Sequence, residues 1–310
     1  MNPAFSVIFF TTASGAGFGA LVVLGMLVLF MPPAVRNPAW LAACAFVFLS
    51  CSAGLSSSTL HLGKPMRAWR AFSQWRSSWL SREAVVALAS YVPLVGLAAL
   101  LLLGGPLWLW RVIGVAAALL GFATLYCTAR IYDSLKPIPA WAQPWTLPSY
   151  LSLGLYTGTL WLAGFGVLKG ALAHALVLAL CGLSGWIKAQ SYRYVRAAPA
   201  VATIGSATGL SKLGQVRAFE APHTEANYLL NEMGFKLARK HAVRLRRNFW
   251  ILALFAPLTL FMAALWLPAW WQTLTLTAAL LASLGTLCER WLFFAEAKHV
   301  VTLYYGAQSV

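Results

Sequence analysis

The sequence predicts an all-α integral membrane protein, a bundle of eight transmembrane helices with a long basic loop between helices six and seven. Three observations predict it. Of the 310 residues, 60% are hydrophobic and 10% charged, against about 25% charge in a soluble domain. Eight segments approach or meet the ~20 apolar residues that a bilayer-spanning helix needs. Trp108, Trp110, Trp141, Trp145, Trp250, Trp266, Trp270 and Trp271 fall near the ends of those segments, where interfacial aromatic side chains collect.

In sequence order the segments are Phe5–Met31, Pro38–His61, Glu83–Leu103, Leu107–Cys127, Ser149–Val167, Ala171–Lys188, Phe249–Pro268 and Trp271–Ala295. The first has no preceding cluster of positive charge and no short apolar core with a cleavage site, so it reads as a retained helix rather than a signal peptide. Helices three and four are joined only by Gly104, Gly105 and Pro106, and the last two only by Leu267 to Trp270, so both pairs are tight antiparallel hairpins. The connection over 189–248 is too long for a simple turn. Its second half carries Leu229, Leu230, Met233 and Leu237 at helical spacing, with acids early and Lys236, Arg239, Lys240, Arg244, Arg246 and Arg247 late. That order suits the helix dipole, and it describes a basic amphipathic helix lying on the membrane or under a partner. A plain solvated helix leading into helix seven is the simpler alternative. The whole protein, 1–310, is one membrane domain with this loop outside the bilayer.

The net charge of +16 comes from 23 Lys and Arg against 7 Asp and Glu. Because the cations gather in loops between apolar spans, anionic lipid and acidic partner subunits are their counterparts, not nucleic acid. Twenty of the 23 lie on one side of the predicted bundle, leaving Arg36, Arg111 and Lys169 on the other. The positive-inside rule then places both termini and the three large loops in the cytoplasm, with the protein in a bacterial inner membrane. A basic face that docks an acidic partner would give the same asymmetry.

The five cysteines, Cys44, Cys51, Cys127, Cys181 and Cys288, form no CxxC or CxxxC pair, so the protein supplies no iron–sulfur cluster of its own. A transmembrane haem would need histidines well inside facing spans, but His61, His174 and His299 lie near segment ends and His223 and His241 in the loop. No haem is expected, and no metal-binding cluster or phosphate loop is present in the sequence. Glu289 beside Arg290 is the one other acid well inside a span. Intramembrane ionisable groups are functional candidates, although an internal Glu–Arg pair is the simpler account here.

The chemistry concentrates between helices two and three, in SSTLHLGKPMRAWRAFSQWRSSWLSRE from Ser57 to Glu83. Gly63 followed by Pro65 is the chemistry of a helix stop, which puts His61 at the membrane boundary. Glu83 opens the next apolar segment, where a helix N-terminus favours a carboxylate. An imidazole and a carboxylate thus reach one interface from adjacent helices; interfacial filler within a basic loop is the bland alternative.

HLGKPMRAW at His61, with Glu83 in LSREA 22 positions on, resembles the corresponding stretch of the membrane anchor subunit of dimethyl sulfoxide reductase. ARIYDSLKPIPAW at Ala129 and the long SKLGQVRAFEAPHTEANYLLNEMGFKLARKHAVRLRR from Ser211 also resemble that family, so the likeness covers essentially the whole sequence. It implies the quinone-binding anchor of a complex whose partners are a four-cluster iron–sulfur subunit and a catalytic subunit holding a molybdenum bis-guanine-dinucleotide cofactor. The family's quinone-associated histidine and glutamate fall on His61 and Glu83, and its nearby glycine and arginine on Gly63 and Arg67. Where the family has a cysteine two beyond that arginine, this protein has Trp69, so the role does not carry over. Trp69 and Trp75 are aromatic candidates to hold the ring and tail, Arg70 serves quinone, lipid or partner equally well, and Tyr132 and Asp133 in the second matching stretch are further candidates.

Histidine exchanges protons near neutral pH and a carboxylate can relay them, as two-proton quinone chemistry requires. The inward-facing basic side is similar to the cytoplasmic sulfite-oxidising members, with sulfite oxidised to sulfate and a quinone, ubiquinone or menaquinone, reduced. The alternative is the anchor of an outward-facing dimethyl sulfoxide reductase oxidising quinol. A secondary transporter, the reading from another class, would show repeated halves and mid-membrane polar groups, which this sequence lacks.

Overall fold

The computed structural model describes residues 4–59, 64–197, 202–217, 219–220 and 241–304. Among them the protein is helical, with no strand. The long helices are α1 (Phe5–Phe30), α2 (Pro38–Thr59), α3 (Trp79–Ala89), α4 (Tyr91–Leu103), α5 (Leu107–Asp133), α6 (Thr146–Phe165) and α7 (Gly170–Ala197). They are followed by a five-residue α8 (Ile204–Thr208), α9 (Ala242–Phe249), α10 (Ala256–Trp266) and α11 (Trp271–Ala295).

Two of the spans are compound. Pro93 has no amide to return to Ala89, and the helix breaks at Ser90, whose hydroxyl bonds to the Val86 carbonyl (2.8 Å) and to Thr124 on α5 (3.3 Å). Pro257 cannot bond to Ala253 either, and there α9 passes through a six-residue π-helical stretch, Trp250–Phe255, into α10. Counted as continuous units among the described residues, seven helices are long and apolar enough to cross a membrane: 5–30, 38–59, 79–103, 107–133, 170–197, 242–266 and 268–295.

The expected count of eight rests on α6. It is 20 residues long but rich in Ser, Thr, Gly and Tyr, and it falls outside the apolar set. Its position explains the composition: Tyr150, Leu153, Gly154, Tyr156, Gly158 and Leu160 are all buried, because α6 lies inside the bundle against α1, α5, α7 and α11. A helix shielded from lipid needs small residues for close approach rather than an apolar surface. Gly19 of α1 and Gly158 of α6 meet so closely that a Cβ on Gly158 would land on the backbone of α1, and one on Gly19 on the backbone of α6.

The helices also overrun the apolar segments. α7 continues nine residues past Lys188, and α9 begins at Ala242, since a helix leaving the bilayer keeps its hydrogen bonds while its side chains turn polar. Of the expected amphipathic helix, Leu229, Leu230, Met233, Leu237, Lys236, Arg239 and Lys240 lie outside the described residues. Arg244, Arg246 and Arg247 fall on α9.

Candidate functional site

Glu83 does not open its helix. Ser78 caps α3, accepting from the Ser81 amide, so the helix starts at Trp79 and Glu83 lies one turn inside. The helix N-terminus therefore does not hold this carboxylate; Thr128 of α5 does, its hydroxyl donating to Glu83 Oε1. Glu83 is 3% exposed and Thr128 6%. A buried carboxylate with so few partners is costly unless something else engages it.

What lies beside it is a cavity of about 730 Å³. Val7 and Phe10 of α1 and Leu55, Ser58 and Thr59 of α2 form one wall; Leu80, Glu83, Ala84 and Leu88 of α3 with Ile131 and Tyr132 of α5 form the other. The roof is a 3₁₀ helix, Pro65–Phe72, contributing Arg67, Ala68, Trp69, Ala71 and Phe72, with Lys64 just before it. Leu80 and Leu88 are 55% and 60% exposed, so the cavity reaches the outer, exposed side of α3.

Each wall is fixed by polar contacts that the local sequence supplies. Ser57 donates to the Ser6 carbonyl at 3.0 Å, tying the end of α2 to the start of α1. Ser81 donates to the Ala71 carbonyl and accepts from the Gln74 amide, which seats the roof on α3. Trp79 lies between the guanidinium groups of Arg82 (4.3 Å) and Arg130 (5.3 Å), joining α3 to the end of α5. Behind Tyr132 stands an aromatic cluster of Trp141, Tyr150, Phe293 and Phe294, braced by Trp141 Nε1 donating to the Phe293 carbonyl at 2.9 Å.

The structure thus brings Glu83, Arg67, Trp69 and Tyr132 to one cavity. Arg70 stacks on Trp69 outside the lining, 5.7 Å from its ring, and Trp75 is 53% exposed and outside it too. Asp133 turns to Arg130 in a 2.7 Å ion pair. His61 and Gly63 lie outside the described residues. An apolar slot with one buried carboxylate, a tyrosine and two cations at the mouth can hold a flat, weakly polar ring with a hydrocarbon tail and can exchange protons with it.

Likeness to known proteins extends over the whole sequence. Residues 1–296 match the family model described as the DMSO reductase anchor subunit (DmsC). The protein belongs to that family. This anchor is 31% identical to the C subunit of the sulfite dehydrogenase of Allochromatium vinosum, over 98% of its own length and 99% of the relative's. It is 29% identical to the C subunit of the anaerobic dimethyl sulfoxide reductase of Escherichia coli, over 57% of its own length and 58% of the relative's. For the corresponding C subunit of the Haemophilus influenzae reductase the figures are 29%, 46% and 52%. The anchor is a multi-pass membrane protein, and its relatives are subunits of oxidoreductases.

Several residues of this anchor's site carried no signal in the sequence. Thr128 sits just past the end of an apolar run, 45 positions from Glu83, and only the α3–α5 contact makes it that residue's partner. Val7, Phe10 and Leu55 are indistinguishable, as sequence, from residues facing lipid. Glu289 departs from expectation as well: besides Arg290 (3.0 Å) it holds Lys188 of α7 at 2.6 Å, all three being at most 3% exposed. Two cations on the basic side of the bundle are therefore inside it.

Proposed function

We propose that the anchor binds a membrane quinone in the cavity beside Glu83 and passes electrons between it and an iron–sulfur subunit seated on the basic loops. The observation that carries this reading is the cavity itself: ~730 Å³, apolar, open toward the exposed side of α3, with the buried Glu83 carboxylate at its wall. A lipid-soluble redox carrier enters from the bilayer, which the exposed Leu80 and Leu88 permit. Trp69 and Phe72 of the roof cover its ring, and Val7, Phe10 and Leu55 accept its tail.

The anchor's own groups then manage protons. Quinone supplies the two-electron, two-proton chemistry when bound; Glu83, held in place by Thr128, is the proton donor at the cavity wall, and His61 and Tyr132 complete the hydrogen bonding. Arg67 and Lys64, at the mouth, favour developing negative charge on the ring oxygens. The partners are the four-cluster iron–sulfur subunit and the molybdenum bis-guanine-dinucleotide subunit. The whole-length likeness to a sulfite dehydrogenase subunit supports sulfite oxidation with quinone reduction over dimethyl sulfoxide reduction. A photoactivatable quinone analogue cross-links to peptides spanning 64–72 and 80–88, and excess natural quinone prevents it; labelling confined to other helices would remove the cavity from the mechanism.

In this reading α6 crosses the bilayer as an eighth span, which returns the C-terminus to the side of the N-terminus, in the cytoplasm of a bacterial inner membrane. Alkaline phosphatase fused at Val310 is then inactive and a cytoplasmic fluorescent reporter there is bright. The reverse pattern would favour an outward-facing reductase.

A further inference from the structure

A second polar site lies at the same end of the bundle, on the far side of the aromatic cluster. Lys188, Glu289 and Arg290 are buried together, with one net positive charge among them. Such a group is expensive in the bilayer, and it links α7 to α11 through the Lys188–Glu289 ion pair. Beside it is an enclosed space of about 20 Å³ lined by Gln143, Lys188, Ser191, Tyr192, Glu289 and Glu296, the size that holds one water. Gln143 Nε2 donates to Ser191 Oγ at 3.2 Å, while Gln143 Oε1 and Tyr192 Oη, both buried, have no partner among the described residues. Buried polar atoms of this kind are ordinarily met by water.

The site is flanked by further polar and aromatic groups in two directions. Outward, Glu296 pairs with Arg246 of α9 and is 22% exposed at the loop side; burial pushes its carboxyl above the ordinary carboxylate range, against the pull of Arg246. Inward, the Arg290 guanidinium lies 3.5 Å from the Tyr150 ring, Tyr150 stacks on Tyr132 at 5.5 Å, and Tyr132 lines the cavity that Glu83 serves. In the quinone reading the electron-delivering partner sits over the basic roof at 64–72 and covers the cavity's own mouth. Protons then need another way in.

We propose that Glu296, the water-sized space and the Lys188–Glu289–Arg290 cluster form a proton relay from the loop-side surface, through Tyr150 and Tyr132, to the cavity. The proposal rests on the quinone reading above. For each quinone reduced, two electrons arrive from a cluster of the iron–sulfur partner and two protons from water on the loop side. Glu289 takes each proton from the enclosed water and hands it toward the tyrosines, and Lys188 and Arg290 each hold one of its carboxyl oxygens in place between transfers. Arg290 itself carries no proton, since its guanidinium does not deprotonate.

The test uses the assembled complex in membranes. Lys188→Met/Glu289→Gln removes the pair at constant net charge, and Glu296→Gln alters the half-buried entrance without touching the core. The relay predicts at least a tenfold loss of quinone-linked turnover in the double variant and a severalfold loss in Glu296→Gln, each with a larger solvent deuterium isotope effect. Dye-linked turnover at the partner subunits stays normal. It also predicts a carboxyl band in the infrared difference spectrum on quinone reduction that disappears in the double variant. A double variant that fails to accumulate leaves Glu296→Gln as the deciding measurement. Normal rates and an unchanged isotope effect would reduce the cluster to a packing element. Glu83→Gln, assayed alongside, separates the two ideas: loss there with normal relay variants overturns the relay alone, whereas normal turnover in Glu83→Gln overturns the cavity assignment and the relay with it.

Discussion

Glu83→Gln leaves the complex assembled in the membrane and lowers quinone-linked turnover by about 10²-fold or more, the scale of a lost general acid or base. Artificial dyes that exchange electrons directly with the hydrophilic subunits still work at the normal rate. The amide keeps the shape of the carboxylate and still accepts from Thr128, so the α3–α5 contact survives and what is lost is proton exchange at the cavity wall. Thr128→Val makes the complementary change: the carboxylate stays but its hydroxyl partner goes. A typical hydrogen bond contributes about 0.5–1.5 kcal/mol, and a loosened Glu83 lowers the quinone-linked rate up to about tenfold, with dye-linked turnover again intact. Steady-state assays with a short-chain quinone and a dye on the same membranes decide both. Equal rates in wild type and Glu83→Gln would mean that the carboxylate is structural.

Gly158→Leu prevents the anchor from accumulating, and with it the membrane-bound complex. A Cβ at this position would meet the Ala20 nitrogen and the Gly19 carbonyl carbon of α1, which are backbone atoms in a helix interior. A flexible neighbour could turn aside; a backbone cannot, so α1 and α6 must separate. Overpacking of a tight core costs about 1–3 kcal/mol, and a collision between two helix backbones lies at or above the top of that range. The expected readout is loss of anchor from the membrane fraction, with catalytic subunits released to the soluble fraction. Gly182→Leu is the control: nothing lies within 4 Å of its Cβ, and anchor levels stay normal. Wild-type levels in Gly158→Leu would show that the α1–α6 crossing has room for a side chain.

Much of this molecule was legible in its residues. Runs of apolar side chains fix the spans because lipid tolerates no unpaired backbone, and Gly104–Pro106 fixes a hairpin because it leaves no room for anything longer. Glu83 stood out as a carboxylate next to an apolar segment, Trp69 as an aromatic side chain in the same stretch, and Arg67 and Tyr132 through the family likeness. The helix start was misplaced by one turn because the apolar run begins at Glu83, while the cap that starts the helix is Ser78. α6 escapes the apolar criterion because burial among helices replaces lipid contact, so its Ser, Thr and Gly describe close neighbours instead of solvent.

What the sequence by itself determined is the all-helical membrane class, the apolar segments with the cations between them, and the residue types available for proton chemistry, since these follow from local composition and from charge along the chain. Which carboxylate faces a cavity, that Thr128 holds it, and that Lys188 joins Glu289 across 101 positions were decided only by tertiary structure. The physical reason is that in an apolar helix every face looks alike until its neighbours are in place. Whether a side chain meets lipid, a cavity or a buried counter-charge depends on helix rotation and on the close α1–α6 approach at Gly19 and Gly158, neither of which leaves a periodic trace in the residues that carry the chemistry.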